Sequence, residues 1–137
     1  MKTTHGLLAL ATILLFLTGC PSEGYDPQIS LYPLTGAPPT KVAQLDNSHE
    51  TLRTINLSAG VSLGVSCYSY CEEVTTTDAC EGVTVTADHD EVLRVDEIYS
   101  AGASSHRFVL SGTAVGTTNV TVTTLCGSRK YLTTVSE

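Results

Sequence analysis

From about Thr51 onward, apolar and polar residues alternate in seven short runs, at 51–57, 61–67, 82–87, 91–98, 105–111, 117–125 and 129–135. A period of two puts successive side chains on opposite faces of an extended strand, so each run predicts a strand with one face turned to a core. Val, Ile, Thr and Tyr supply much of the pattern, and these residues suit a pleated, half-buried surface. The gaps carry turn residues, as at Ala59-Gly60, Asp88-His89-Asp90, Ala101-Gly102 and Cys126-Gly127-Ser128. Seven short strands with regular turns predict an all-β, two-sheet sandwich. A domain of about 85 residues buries only ~60–65% of the surface its unfolded chain exposes, so further fastening is expected.

Two earlier stretches break the alternation. Residues 1–19 begin with a polar start carrying Lys2 and His5, continue through an apolar stretch from Leu7 to Leu17, and end on the small pair Thr18-Gly19. That order predicts a cleaved signal peptide. The apolar stretch is about half of the ~20 residues a membrane-spanning helix needs, so a permanent span is not expected. Residues 20–48 follow, and all five prolines of the chain lie there: Pro21, Pro27, Pro33, Pro38 and Pro39. Proline removes backbone donors and fixes φ, so this segment predicts an extended tether ahead of a domain at 49–137. Tyr25, Ile29, Leu31, Tyr32 and Leu34 leave open an additional edge strand within it.

Composition narrows the range of partners. The 137 residues carry 7 Lys+Arg against 14 Asp+Glu, a net charge of -7; loss of residues 1–19 removes Lys2 and no acid, which makes it -8. An acidic chain of this kind is unsuited to nucleic-acid backbones, and no nucleic-acid partner is expected.

Leu17-Thr18-Gly19-Cys20 resembles the lipobox of bacterial lipoprotein precursors. The resemblance implies cleavage before Cys20, lipid on its thiol, and a membrane-anchored envelope protein facing the periplasm or cell exterior. One acyl chain binds a bilayer only marginally, at ~0.8 kcal/mol per buried methylene, whereas two or three on one cysteine hold durably. The membrane is then a partner through Cys20.

Two later stretches are similar to the bacterial immunoglobulin-like group 2 domain. Val83 to Val95, VTVTADHDEVLRV, looks like that family's strand, polar turn and strand. Phe108 to Val122 resembles its glycine-spaced segment through Gly112, Gly116, Val120 and Val122. The chain departs from the pattern in having Val85 where the family often has Trp, and in its four domain cysteines. The resemblance implies an immunoglobulin-like two-sheet sandwich of about seven strands and no particular ligand.

With Cys20 assigned to lipid, the five cysteines leave Cys67, Cys71, Cys80 and Cys126, an even set that permits three pairings. Val61, Leu63, Val65 and Cys67 share one strand face, and Val120, Val122, Thr124 and Cys126 share another. Parity therefore favours Cys67–Cys126 pinning the two sheets, with Cys71–Cys80 closing the loop between them. A four-thiolate zinc site is the alternative, although the spacing is uncommon for one and an exported chain favours disulfides. No cofactor or metal is expected.

Chemistry-bearing residues are sparse. Asp88, His89, Asp90 and Glu91 form the densest polar cluster, readable as a solvated hairpin turn or as oxygen ligands for calcium. His49, His89 and His106 are the only histidines after the signal, and none belongs to a nucleophile or metalloprotease motif. No catalytic residue is assigned. Tyr68, Tyr70, Tyr99 and Tyr131 are candidate contact residues. Tyr68 and Tyr70 lead, because their parity is opposite to that of Val65 and Cys67 and points them outward. The function expected is a non-enzymatic envelope lipoprotein whose sandwich is a structural or interaction module with an unspecified protein or glycan partner. The alternatives are a carbohydrate- or host-surface-binding module through Tyr68 to Cys80, and a small secreted hydrolase or inhibitor without a familiar motif.

Overall fold

The computed structural model describes residues 28–71, 80, 82–98 and 106–137, all in strands, turns and connections. Nine strands run β1 (Gln28–Pro33), β2 (Ala43–Asp46), β3 (Arg53–Ser58), β4 (Ser62–Tyr70), β5 (Thr84–Ala87), β6 (Leu93–Ile98), β7 (Arg107–Gly112), β8 (Gly116–Thr124) and β9 (Gly127–Ser136). They form a four-stranded sheet ordered β1-β4-β7-β6 and a five-stranded sheet ordered β2-β3-β9-β8-β5. The all-β two-sheet sandwich expected from the pattern is the fold.

The seven sequence runs correspond to β3 through β9. Alternation decides which residues meet between the sheets. Ile55 and Leu57 of β3, Val120 and Val122 of β8, and Tyr131 and Val135 of β9 face Leu63 and Val65 of β4, Leu93 of β6, and Phe108 and Leu110 of β7 in one core. β3 and β9 run parallel, from Arg53 beside Tyr131 to Ser58 beside Ser136, so the last strand closes against the third.

β1 and β2 correct the expected boundary at residue 49. Both lie within the stretch read as tether, so the sandwich begins at least as early as Gln28. Ile29 and Leu31 are fully buried, and that apolar pair outweighs the proline content. Pro33 stands at the end of β1, where a missing donor is tolerated, and Pro39 lies in the connection where its carbonyl accepts from Val42 and Ala43. The edge strand left open by the sequence therefore forms, pairing antiparallel with β4 from Gln28↔Tyr70 to Pro33↔Val65. A second edge strand, β2, covers β3 on the other sheet.

Two glycines set how closely the turns approach. A Cβ on Gly112 would lie 3.0 Å from the Ser58 carbonyl oxygen and 3.1 Å from Val135 Cγ1; one on Gly116 would lie 3.1 Å from Val92 Cγ2. Gly112 also exchanges backbone bonds at this crossing, donating to the Val61 carbonyl and accepting from Gly60.

Candidate functional site at the disulfide-bonded end of the sandwich

Both disulfides sit at one end of the molecule. The bonds are Cys67–Cys80 and Cys71–Cys126, with Cα–Cα distances of 6.2 and 5.6 Å. Each links β4 or its end to a segment at the end of the five-stranded sheet, Cys80 ahead of β5 and Cys126 in the β8–β9 turn. This corrects the pairing expected from parity, Cys67–Cys126 with Cys71–Cys80.

Parity chooses a face but not a height along the strand. Ser69 Oγ lies 2.9 Å from Thr124 Oγ1 across the sandwich, which sets those two residues level. Two residues further along each chain come Cys71 and Cys126, level in turn. Cys67 lies four residues before Cys71, about 13 Å lower at ~3.3 Å per residue, too far from Cys126 for a disulfide. Cys67 faces inward as expected and meets Cys80 instead. The Thr124 hydroxyl also accepts from the Cys126 backbone N–H at 3.1 Å, which helps hold the turn in place.

Tyr68 and Tyr70, 47% and 53% exposed, lie on the outer face of β4 as the alternation predicts. Tyr32 of β1 joins them, its ring edge-on to Tyr68 with centroids 6.2 Å apart. The sequence reading placed Tyr32 only in a possible edge strand, because its neighbour on β4 is set by the β1–β4 register. Tyr131 corrects the tyrosine set. It is fully buried, sharing the inward parity of Thr133 and Val135. Tyr99 and Cys20 lie outside the described residues.

Tyr131 instead belongs to a polar lattice that sequence reasoning missed. Its hydroxyl accepts from the Leu31 backbone N–H at 2.9 Å and donates to Asn47 Oδ1 at 2.9 Å. Asn47 Nδ2 donates to the Leu31 carbonyl at 2.8 Å. Arg53, largely buried, donates through Nη1 to the Ile29 carbonyl and to Ser30 Oγ, and its guanidinium stands 5.9 Å from the Tyr131 ring centroid. Side chains of the five-stranded sheet and its connections thus bond the backbone of an edge strand in the other sheet. That caps groups which would otherwise template strand addition. No local pattern announces the lattice, since Tyr131 is 84 positions from Asn47 and 78 from Arg53.

The polar cluster at Asp88–Glu91 occupies the opposite end. Asp88 Oδ2 accepts from Asn119 Nδ2 at 3.0 Å, the His89 backbone N–H donates to Thr118 Oγ1 at 3.0 Å, and His89 Nδ1 lies 3.3 Å from Glu91 Oε1 in an exposed pair. Its groups serve the turn and its neighbouring strand. Among the described residues no three His, Cys, Asp or Glu side chains converge as metal ligands. His106 Nδ1 lies 3.1 Å from Glu97 Oε1, near the start of β7. Hydrogen bonds from the Ser48 side chain and backbone hold the Asp46 carboxyl below its ordinary value.

No family model and no curated protein matches the chain. Among solved structures it is similar to "Crystal structure of the S-layer protein SbsC domains 4 and 5", at 18% identity and a TM-score of 0.50, over 69% of this chain and 54% of that one. It is also similar to "Crystal structure of the S-layer protein rSbsC(31-844)", at 20% identity and a TM-score of 0.49, over 68% of this chain and 13% of that one. The chain therefore spans about half the length of the first of these structures and a small part of the second. At such identities the likeness is one of fold.

Proposed function

We propose that the protein is an envelope lipoprotein, held to a membrane by lipid on Cys20, whose disulfide-bonded sandwich serves as a structural or interaction module and not as an enzyme. The observation that carries this reading is the cysteine pairing. Cys67, Cys71, Cys80 and Cys126 are all consumed in two disulfides, so of the five cysteines Cys20 is the one that neither bridge uses. It stands directly after the signal-like segment, in a lipobox-like sequence. Disulfides fit an exported protein, and a single leftover cysteine at that position fits lipidation. The sandwich fold, shared with surface-layer protein domains, suits a structural role outside the cell.

Changing Cys20→Ser in the producing bacterium tests the reading. The expected result is loss of fatty-acid labelling, accumulation of uncleaved precursor, and loss of the mature protein from the membrane fraction. Unchanged processing and fractionation would overturn it.

A further inference from the structure

We infer that the disulfide-bonded end of the sandwich docks against the lipid surface that carries Cys20, through Tyr70 and Leu125, with Tyr68 and Leu52 beside them. The inference rests on the lipoprotein reading and adds an orientation to it. Its first support is where the chain enters the domain. Gln28, the first described residue, pairs with Tyr70, so the segment from Cys20 arrives at the disulfide-bonded end. Eight residue steps separate Cys20 from Gln28, and they span at most about 29 Å when fully extended. β9 alone, at 10 residues, is ~33 Å long at ~3.3 Å per residue. Its far end therefore points to the side opposite the attachment.

The second support is what this end exposes. Leu125 at the tip of the β8–β9 turn is 60% exposed, and Leu52, ahead of β3, is 58% exposed. Tyr70 and Leu125 each precede a cysteine of the same disulfide, Cys71 and Cys126, which holds the end of β4 and the turn together. Leu52 belongs to this end because β3 runs parallel to β9 from Arg53 beside Tyr131, and Arg129 Nη1 donates to the Glu50 carbonyl at 3.2 Å. Tyrosine offers an apolar ring and a polar tip and is enriched where lipid meets water. The opposite end presents Asp88, Asp90 and Glu91 in one turn, Glu137, and Lys41 in the β1–β2 link, with Val115 as its large exposed hydrophobic residue among those described. Four acids, Glu72, Glu73, Asp78 and Glu81, stand in sequence between Cys71 and Gly82. The occupant is accordingly an uncharged, zwitterionic lipid surface, and attraction to anionic headgroups plays no part.

The native chain has no tryptophan, so a single introduced one reports its own surroundings. The lipidated full-length mature protein carrying Leu125→Trp, or Val115→Trp as the opposite-end reference, is placed in phosphatidylcholine vesicles with brominated acyl chains. Acylation of Cys20 is read by mass spectrometry on the same samples. A side chain seated ~5–10 Å into the headgroup region is expected to lose roughly half its emission; Leu125→Trp does so, Val115→Trp does not, and the ratio holds at high salt. Adding Tyr70→Ser weakens the Leu125→Trp quenching. With Cys20 acylated, equal quenching at both ends, stronger quenching of Val115→Trp, or none at either overturns the orientation and leaves the lipoprotein reading standing. Absence of acylation overturns both. A glycan-array signal that depends on Tyr68 and Tyr70, with Leu125→Trp unquenched, would assign this end to a carbohydrate instead.

Discussion

The two ends of the sandwich are closed by different means. At one end Cys67–Cys80 and Cys71–Cys126 tie β4 and its end to the segment ahead of β5 and to the β8–β9 turn. At the other, short turns are drawn together by backbone bonds: Gly60 donates to the Gly112 carbonyl at 2.8 Å, Gly112 to the Val61 carbonyl at 3.0 Å, and Thr113 to the Val92 carbonyl at 2.9 Å. Thr113 Oγ1 adds a bond to the Glu91 carbonyl at 2.7 Å. The difference follows from connection length. The β4–β5 link covers residues 71–83, a span whose closure costs substantial chain entropy. Turns of a few residues need only suitable backbone geometry and room to approach. Cys67–Cys80 thus bridges most of the long β4–β5 link, while Cys71–Cys126 ties the start of that link to the short β8–β9 turn.

This contrast orders the expected effects. Removal of Cys71–Cys126, which joins residues 55 apart in sequence, as Cys71→Ala with Cys126→Ala, is expected to cost about 4 kcal/mol in the chain-entropy model. Removal of Cys67–Cys80, 13 apart, costs about 3 kcal/mol. Urea denaturation of both double variants measures the order, and peptide mapping of the oxidised protein checks the connectivity. A larger loss from the shorter bridge would show that loop entropy is not the source.

The turn end has its own test in Gly112→Ala. The added Cβ would meet a backbone oxygen at 3.0 Å, a neighbour that cannot rotate away, and overpacking of this kind costs about 1–3 kcal/mol. Denaturation midpoints compared with a Gly60→Ala control do not isolate packing, because Gly60 has a φ of +79° and is strained by any side chain; Gly116→Ala, facing the movable Val92 side chain, is the better companion and is expected to cost less.

Between the two ends, Tyr131→Phe removes one hydroxyl and leaves the Leu31 N–H and Asn47 Oδ1 without it. The expected loss is about 1–3 kcal/mol, with faster amide exchange at Leu31 as the local signature. The smallest effect concerns Asp46 at the start of the connection into β3. Its carboxyl is held below 3.8 by the Ser48 hydrogen bonds, so the ionised form is favoured in the folded state. The associated stabilisation is present above the unfolded value and is lost as pH falls through the lowered one. Carboxyl NMR titration is expected to give an Asp46 midpoint below 3.8 that rises in Ser48→Ala.

The seven runs from Thr51 onward were readable because alternation is a local property, visible in any few consecutive residues; Val120, Val122 and Tyr131 declare their face by parity alone. The same rule pointed Tyr68 and Tyr70 outward and Cys67 inward. Residue type, not parity, misjudged Tyr131: its aromatic hydroxyl suggested a surface, whereas the inward neighbours Thr133 and Val135 were the better guide. β1 was harder to read, since prolines on both sides mask a strand only six residues long, and its burial depends on a partner strand some 40 positions away.

By itself the sequence determined the all-β class, the inward and outward faces of the seven later strands, and an even set of four cysteines once Cys20 is set aside. These depend on side-chain period and residue count, which need no knowledge of neighbours. Tertiary structure alone decided which cysteines meet, that the sandwich takes in β1 and β2, and that Tyr131, Arg53 and Asn47 converge on the free edge of β1. Each of these depends on how far one strand is shifted along another across a gap between sheets, and that displacement is set by packing of the whole core.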